Sequence, residues 1–149
     1  GAAAAEVAWE LVRAEFEAAD AALSRFSTTS DLIRLDATAG TGRAMVIPRR
    51  LERALVAADR AWRVTGGVFD PRVVDALERI GEHGATLPPS AARTAPSAGS
   101  RVVEREARHR VKLARPVDLG GIGKGLALRW ATSAITVGPP ESGSAGTMS

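Results

Sequence analysis

Apolar positions recur at helical spacing first over residues 2–26, where Trp9, Val12, Phe16, Ala19, Leu23 and Phe26 step by three and four. Glu6, Glu10, Arg13, Glu15, Glu17 and Asp20 lie off that stripe, so the spacing predicts an amphipathic helix packed on its own sheet. Residues 27–44 read as loop with a short helical turn at 31–35, which Ser30 or Asp31 can cap. Gly40 and Gly42 mark a bend before a brief strand at 44–47. Pro48 suits the first turn of a second long helix, with Leu51, Leu55, Ala58 and Trp62 as its buried stripe and Gly66-Gly67 as its stop. A shorter helix starts at Pro71 with Asp70 as its N-cap, carries Val73, Val74, Leu77 and Ile80, and ends at Gly81. Residues 84–100 are rich in Pro, Ala, Ser and Gly and are expected to form a mobile loop inside one domain. Two strands are expected at 101–103 and 110–113, around a polar turn. The apolar run 117–119 reads as the end of a further strand, with a helix following Gly125 to about Ala134. The pattern divides the chain into a domain over residues 1–135 and a disordered tail over 136–149. Helices and strands together predict an α/β or α+β fold, with helices packed on a mostly antiparallel sheet.

Composition narrows the chemistry more than the fold. The chain has 149 residues, 45% of them hydrophobic, which suits one domain with a real core. Its 20 basic residues are nearly all arginine and exceed 17 acids by only three, so a pI near 10.5 reflects a modest excess. No basic run interleaved with aromatics points to nucleic acid. The absence of cysteine excludes disulfides, thiolate metal sites and a cysteine nucleophile. Two histidines, His83 and His109, are too few and too separated for a histidine-based metal site. No apolar stretch approaches the about 18 residues of a membrane span. The start, GAAAAEVAWE, has neither a basic n-region nor a continuous apolar core, so a cytoplasmic chain is expected.

Chemistry concentrates in VDLGGIGKG, residues 117–125. Glycines let backbone N–H groups approach a ligand, a helix starting there adds the positive end of its dipole, and Lys124 adds a full charge. Asp118 stands where a carboxylate can reach a ligand hydroxyl, a base edge or a metal. A Walker A loop is excluded, because Asp118 and Gly125 occupy its required glycine and Ser/Thr positions. The dinucleotide pattern GxGxxG fails at Leu126. Two readings stay open on these residues: a phosphate- or nucleotide-facing turn, and a glycine-rich turn that lets a helix pack tightly. A second glycine turn, TGGVFDP at 65–71, either presents Phe69 and main-chain groups to a flat ligand or simply starts a helix.

TGGVFDP and VDLGGIGKG, in this order with a variable loop between them, resemble the ApbE family of FAD:protein FMN transferases. FSTTSDLIRLD, residues 26–36, is similar to that family's serine-rich region, which more often ends in Arg-Leu-Asn. The resemblance spans about residues 5–134. It implies binding of FAD and Mg²⁺ and transfer of FMN to a threonine or serine hydroxyl of an acceptor protein, with release of AMP. Carried over by position, Asp118 and Lys124 would contact FAD, and Val68, Phe69 and Asp70 would line the nucleotide. Gly121 stands where the family offers a main-chain carbonyl to the metal. The family's second glycine-rich strand region and its later metal-binding aspartate and threonine are not recognisable here. The resemblance therefore implies the N-terminal portion of such a domain, truncated and a poor catalyst by itself. Two other readings of the chain are a non-catalytic FAD- or nucleotide-binding module and a relative that splits FAD into FMN and AMP. Relatives are often exported.

Overall fold

The structure is a computed structural model that describes residues 1–87 and 100–137. It opens with α1 (Ala2–Leu23), an alanine-rich run of high helix propensity. Only Ala19, Ala22 and Leu23 of this helix are buried, all at its C-terminal end. The expected stripe is thus half used: Trp9 is 62% exposed and Phe16 42%, and Phe26 lies beyond the helix altogether. The chain leaves the helix at Ser24, whose backbone is extended and whose Oγ accepts the Phe26 N–H at 3.2 Å. Next comes α2 (Asp31–Asp36). Ser30 is its N-cap, as its sequence position suggests. The Ser30 Oγ accepts the Ile33 N–H at 3.1 Å and donates to the Ser24 carbonyl at 2.6 Å, binding the new helix to the end of the old one.

Gly40 and Gly42 have positive φ values of 75° and 76° and turn the chain into β1 (Met45–Val46). From Pro48, which is the N-cap residue, α3 (Arg49–Val64) follows. Its Leu51, Leu55 and Ala58 are fully buried, and Trp62 packs at the edge of the core, in agreement with the expected stripe. The short α4 (Val74–Arg79) starts three residues later than the sequence suggests, with Val73 and not Asp70 at its N-cap. It ends at Gly81, whose φ is 90°. The loop expected at 84–100 has its central residues, 88–99, outside the described residues.

The sheet is small and antiparallel. It comprises β1, β2 (Glu104–Ala107) and β3 (Arg110–Lys112) in the order β1-β3-β2, with Met45 and Arg105 both opposite Val111. The strand expected at 101–103 begins instead at Glu104. Val102 and Val103 are buried in the core, and the Val102 N–H goes to the Asp59 carboxylate at 3.2 Å and not to a neighbouring strand. Glu52 on α3 takes Arg105 Nη2 at 2.8 Å and His109 Nδ1 at 2.5 Å, fastening the β2–β3 hairpin to that helix. Burial works against the Glu52 charge, but the bonds and charges of His109 and Arg105 hold its carboxyl below the usual range.

The last element, α5 (Gly120–Val137), packs along α1 and also meets α3. It buries Ala127, Trp130 and Ala131, and the Arg50 guanidinium of α3 lies 4.8 Å from the Trp130 ring. The main hydrophobic core, built around Leu32, Leu35, Leu51, Leu55, Val111 and Leu119, joins α1, α2, α3 and α5 to the sheet, and a smaller cluster of Ile33, Val74 and Leu87 holds α4. α5 runs two residues into the expected tail; residues 138–149 lie outside the described residues. Among the described residues no helix is long and apolar enough to cross a membrane.

Candidate functional site

The two glycine motifs meet in space. In the first, Gly66 and Gly67 adopt positive φ values of 62° and 88°, which close the end of α3 and let the Gly67 N–H reach the Trp62 carbonyl at 2.9 Å. Thr65 Oγ1 donates to the Ala61 carbonyl at 2.8 Å and accepts the Phe69 N–H at 3.0 Å. This turn leaves Val68 92% exposed and sends the half-buried Phe69 back toward the core. Asp70 is held by Arg72, whose Nε and Nη2 each reach a carboxylate oxygen at 2.8 Å. Arg72 also donates to the Ser100 carbonyl at 2.8 Å and lies 4.9 Å from the Trp62 ring. Partial burial opposes the Asp70 charge, yet the Arg72 hydrogen bonds and charge, with help from Arg115, hold its carboxyl below the usual carboxylate range.

In the second motif the expected strand at 117–119 is absent. Its backbone groups go to other partners: the Val117 N–H donates to Asp36 Oδ1 at 3.0 Å and the Asp118 N–H to the Pro71 carbonyl at 2.7 Å. That second bond ties VDLGGIGKG directly to TGGVFDP. Asp36 is almost fully buried. Burial pushes its carboxyl well above the ordinary value, the Val117 N–H pulls it down, and the nearby Asp118 charge pushes it up again.

The glycines that were expected to form a turn before the helix lie inside it. Gly120, Gly121, Gly123 and Gly125 all belong to α5, and none has a positive φ. What Gly120 and Gly121 supply is room, whereas at Gly123 a Cβ would make only an ordinary contact. A Cβ on Gly120 would stand 2.8 Å from Asp118 Oδ1, one on Gly121 3.2 Å from Phe69 Cε2, and one on Gly123 3.5 Å from Leu23 Cδ1. The reading of a helix packed tightly against its surroundings therefore holds for this stretch. The helix N-terminus is still there, with exposed Gly120, Gly121 and Lys124.

Beside that N-terminus runs a groove of about 460 Å³ between α1 and α5. Leu23, Phe16 and Ala127 give it an apolar surface, and Phe26, Asp118 and Lys124 stand along it. Of the residues expected at the site, Asp118 and Lys124 border the groove, and Phe69 and Gly121 touch each other on α5. Val68, Phe69 and Asp70 do not line it. Two contributors were not among the expected site residues: Arg25, whose Nε meets Asp118 Oδ2 at 2.7 Å, and Phe26, whose ring lies 4.7 Å from the same guanidinium. Phe26 belongs to the apolar stripe and opens FSTTSDLIRLD, whereas Arg25 carries no motif signal.

A divalent ion of the magnesium type prefers six oxygen ligands in near-octahedral array. Among the described residues no cluster of three or more His, Cys, Asp or Glu side chains could hold a metal. Gly121 offers one carbonyl, which sits in a helical turn where it is the acceptor for the residue four positions on. These residues do not by themselves fit the ion.

The fold has close counterparts. The flavinyl transferase ApbE of Pseudomonas stutzeri, in its apo form, aligns with a TM-score of 0.72 at 21% identity, covering 89% of this chain and 46% of that one. The ApbE protein of Thermotoga maritima gives 0.72 at 20% identity, over 89% and 45%. A flavin transferase ApbE of Vibrio cholerae, a point mutant, gives 0.71 at 16% identity, over 89% and 48%. This chain thus spans just under half the length of the solved structures it matches. No curated protein matches it. The sequence model of the ApbE family matches residues 3–136, nearly the whole of the described chain, and on that match the chain belongs to the ApbE family.

Proposed function

We propose that this chain forms the FAD-facing part of an FAD:protein FMN transferase. In that reaction a threonine or serine hydroxyl of an acceptor protein attacks the FMN phosphorus of FAD. An oxygen–phosphorus bond forms to the acceptor, the pyrophosphate bond breaks, AMP leaves, and the hydroxyl proton is lost to solvent or a base. Lys124 supplies a cation for the ligand phosphates at the start of α5, and Asp118 borders the same groove. Val68, Phe69 and Asp70 stand outside that groove and meet the nucleotide only where it extends past the groove onto the turn bonded to Asp118. The dependence on magnesium and the identity of the hydroxyl acceptor rest on the family resemblance alone.

The observation that carries the reading is the junction of the two motifs. The bond from Asp118 N–H to the Pro71 carbonyl at 2.7 Å and the contact of Phe69 with Gly121 put both glycine segments at one helix end, beside an apolar groove edged by a lysine. Such a groove suits an aromatic ligand carrying phosphates. The test is a titration of the chain with FAD followed by flavin fluorescence, with and without Mg²⁺, alongside Lys124→Ala. Saturable binding is expected, weakened roughly tenfold in the variant, as for loss of one charge-assisted contact. Binding of equal strength in both proteins would refute the placement of the phosphates. Binding with no AMP release would favour a non-catalytic FAD-binding module, whereas release of FMN and AMP without an acceptor would favour a pyrophosphatase-like relative.

A further inference from the structure

Asp118 carries a negative charge at the edge of a groove assigned above to a ligand with two phosphates. An unneutralised carboxylate there would repel such a ligand. Neither of its oxygens is open to solvent partners alone. Oδ2 faces Arg25 Nε at 2.7 Å, and Oδ1 accepts the Gly120 N–H at 2.5 Å, at the first residue of α5. The Arg25 side chain is only 7% exposed, and every other contact it makes fixes it in place. Its Nη2 donates to the Glu82 carbonyl at 2.6 Å, its own carbonyl accepts the Ala85 N–H at 2.8 Å, and its guanidinium lies against the Phe26 ring. Gly84 sits so close that a Cβ there would come within 2.7 Å of the Arg25 carbonyl oxygen.

We infer that Arg25 is a positioning residue that makes Asp118 compatible with an anionic ligand. It offsets the carboxylate charge and holds Asp118 at the start of α5, where Oδ1 accepts the Gly120 N–H. The guanidinium and the main-chain carbonyl of Arg25 together tie Glu82 and Ala85 to the groove edge. The inference rests on the flavin reading of that groove.

The test compares the chain with Arg25→Ala, Asp118→Asn and the double variant, using FAD, riboflavin (which has no phosphate) and urea unfolding without ligand. Arg25→Ala is expected to weaken FAD about tenfold and riboflavin by less than about threefold, because the exposed carboxylate opposes charge and not the ring system. Asparagine keeps an oxygen for the Gly120 N–H but carries no charge. Added to Arg25→Ala it therefore recovers FAD affinity and raises the urea midpoint. Placed opposite an intact Arg25 its amide sets donor against donor, so alone it lowers the midpoint. Recovery of FAD affinity with no matching change for riboflavin is the signature of charge neutralisation at the ligand; a merely structural ion pair would reverse the sign in urea but would not separate the two flavins. Equal losses for FAD and riboflavin, or the same sign for Asp118→Asn in both backgrounds, would overturn the inference. If the unaltered chain binds neither flavin, the flavin reading fails and the unfolding cycle alone decides the Arg25–Asp118 coupling. Should Arg25→Ala not fold, Arg25→Lys takes its place. It keeps the charge and must preserve the preference for FAD over riboflavin; a folded Arg25→Lys that loses this preference overturns the inference.

Discussion

Replacing Asp36 by asparagine is expected to stabilise this chain at neutral pH. Asp36 ends α2 with only 2% of its surface exposed, and its Oδ1 accepts the Val117 N–H. Asparagine keeps the shape and an acceptor oxygen for that bond, but it never has to hold a charge away from water. Burial raises the folded-state value of the Asp36 carboxyl well above the ordinary one, so the folded chain keeps its proton longer than the unfolded chain does. Below the ordinary carboxylate value both states are protonated and the group is neutral in its effect. As pH rises from there, the unfolded state gives up its proton first, and stability falls by about 1.4 kcal/mol per pH unit until the folded carboxyl also titrates. Above that point the whole penalty is present. For a carboxyl this enclosed, with one good hydrogen bond and a second carboxylate nearby, the gain at pH 7 is on the order of 1–3 kcal/mol. In a chain of this size a gain near 2 kcal/mol raises the melting temperature by roughly 5 °C. The assay is urea and thermal unfolding of both proteins between pH 4 and pH 8. The difference between them should grow with pH, which separates Asp36 from the other acids. An Asp36→Asn chain less stable at pH 7, or a difference that does not change with pH, would refute the reasoning.

Gly125 is the one glycine of the α5 stretch with nothing within 4 Å of an added Cβ, so Gly125→Ala should raise the unfolding free energy by about 0.5–1 kcal/mol through helix propensity, read as a higher urea midpoint. A lower midpoint would mean that this position is used by something other than the helix. Arg72→Ala strands the Asp70 carboxylate and uncovers Trp62, and the expected cost in thermal melts is about 2–3 kcal/mol at neutral pH. Because the Asp70 carboxyl is held below its ordinary value, its pairing stabilises the fold above that value and loses its effect as pH falls through the lowered one. The Arg72→Ala penalty should accordingly shrink in acid, and a penalty independent of pH would assign it to packing on Trp62.

Much of the architecture was legible in the pattern of apolar positions. The stripe Leu51, Leu55, Ala58 and Trp62 named the buried face of α3, and Ser30 named the start of α2, because spacing and capping are local properties. The errors fall where a long-range partner overrides a local preference. Val117, Asp118 and Leu119 look like a strand, but the N–H groups of Val117 and Asp118 are taken by Asp36 and Pro71, residues far away in sequence. Val102 and Val103 look like a strand for the same reason, and Asp59 removes one of their donors. Asp70 looks like a helix cap, but Arg72 claims its carboxylate first. The outer half of α1 shows the converse: Trp9 continues the stripe, and no described residue covers it fully. The two glycine motifs meet at one helix end, whereas the part Arg25 plays there could not be found from spacing. Its role is set by Asp118, 93 positions further along the chain.

The glycines of α5 also lower the cost of opening its first turns. Each helical glycine costs about 1 kcal/mol relative to alanine, and four of them fall within the first six residues of this helix. The opposite half of the helix, where Ala127, Trp130 and Ala131 are buried, carries no such handicap. The N-terminal turns therefore depend on outside holds: the Asp118 cap, the Phe69 ring and the Leu23 side chain. Local opening at this end costs far less than global unfolding. The rest of the fold can stay rigid while the glycine turns breathe, and any ligand that settles on them tightens the segment with the lowest opening cost in the helix.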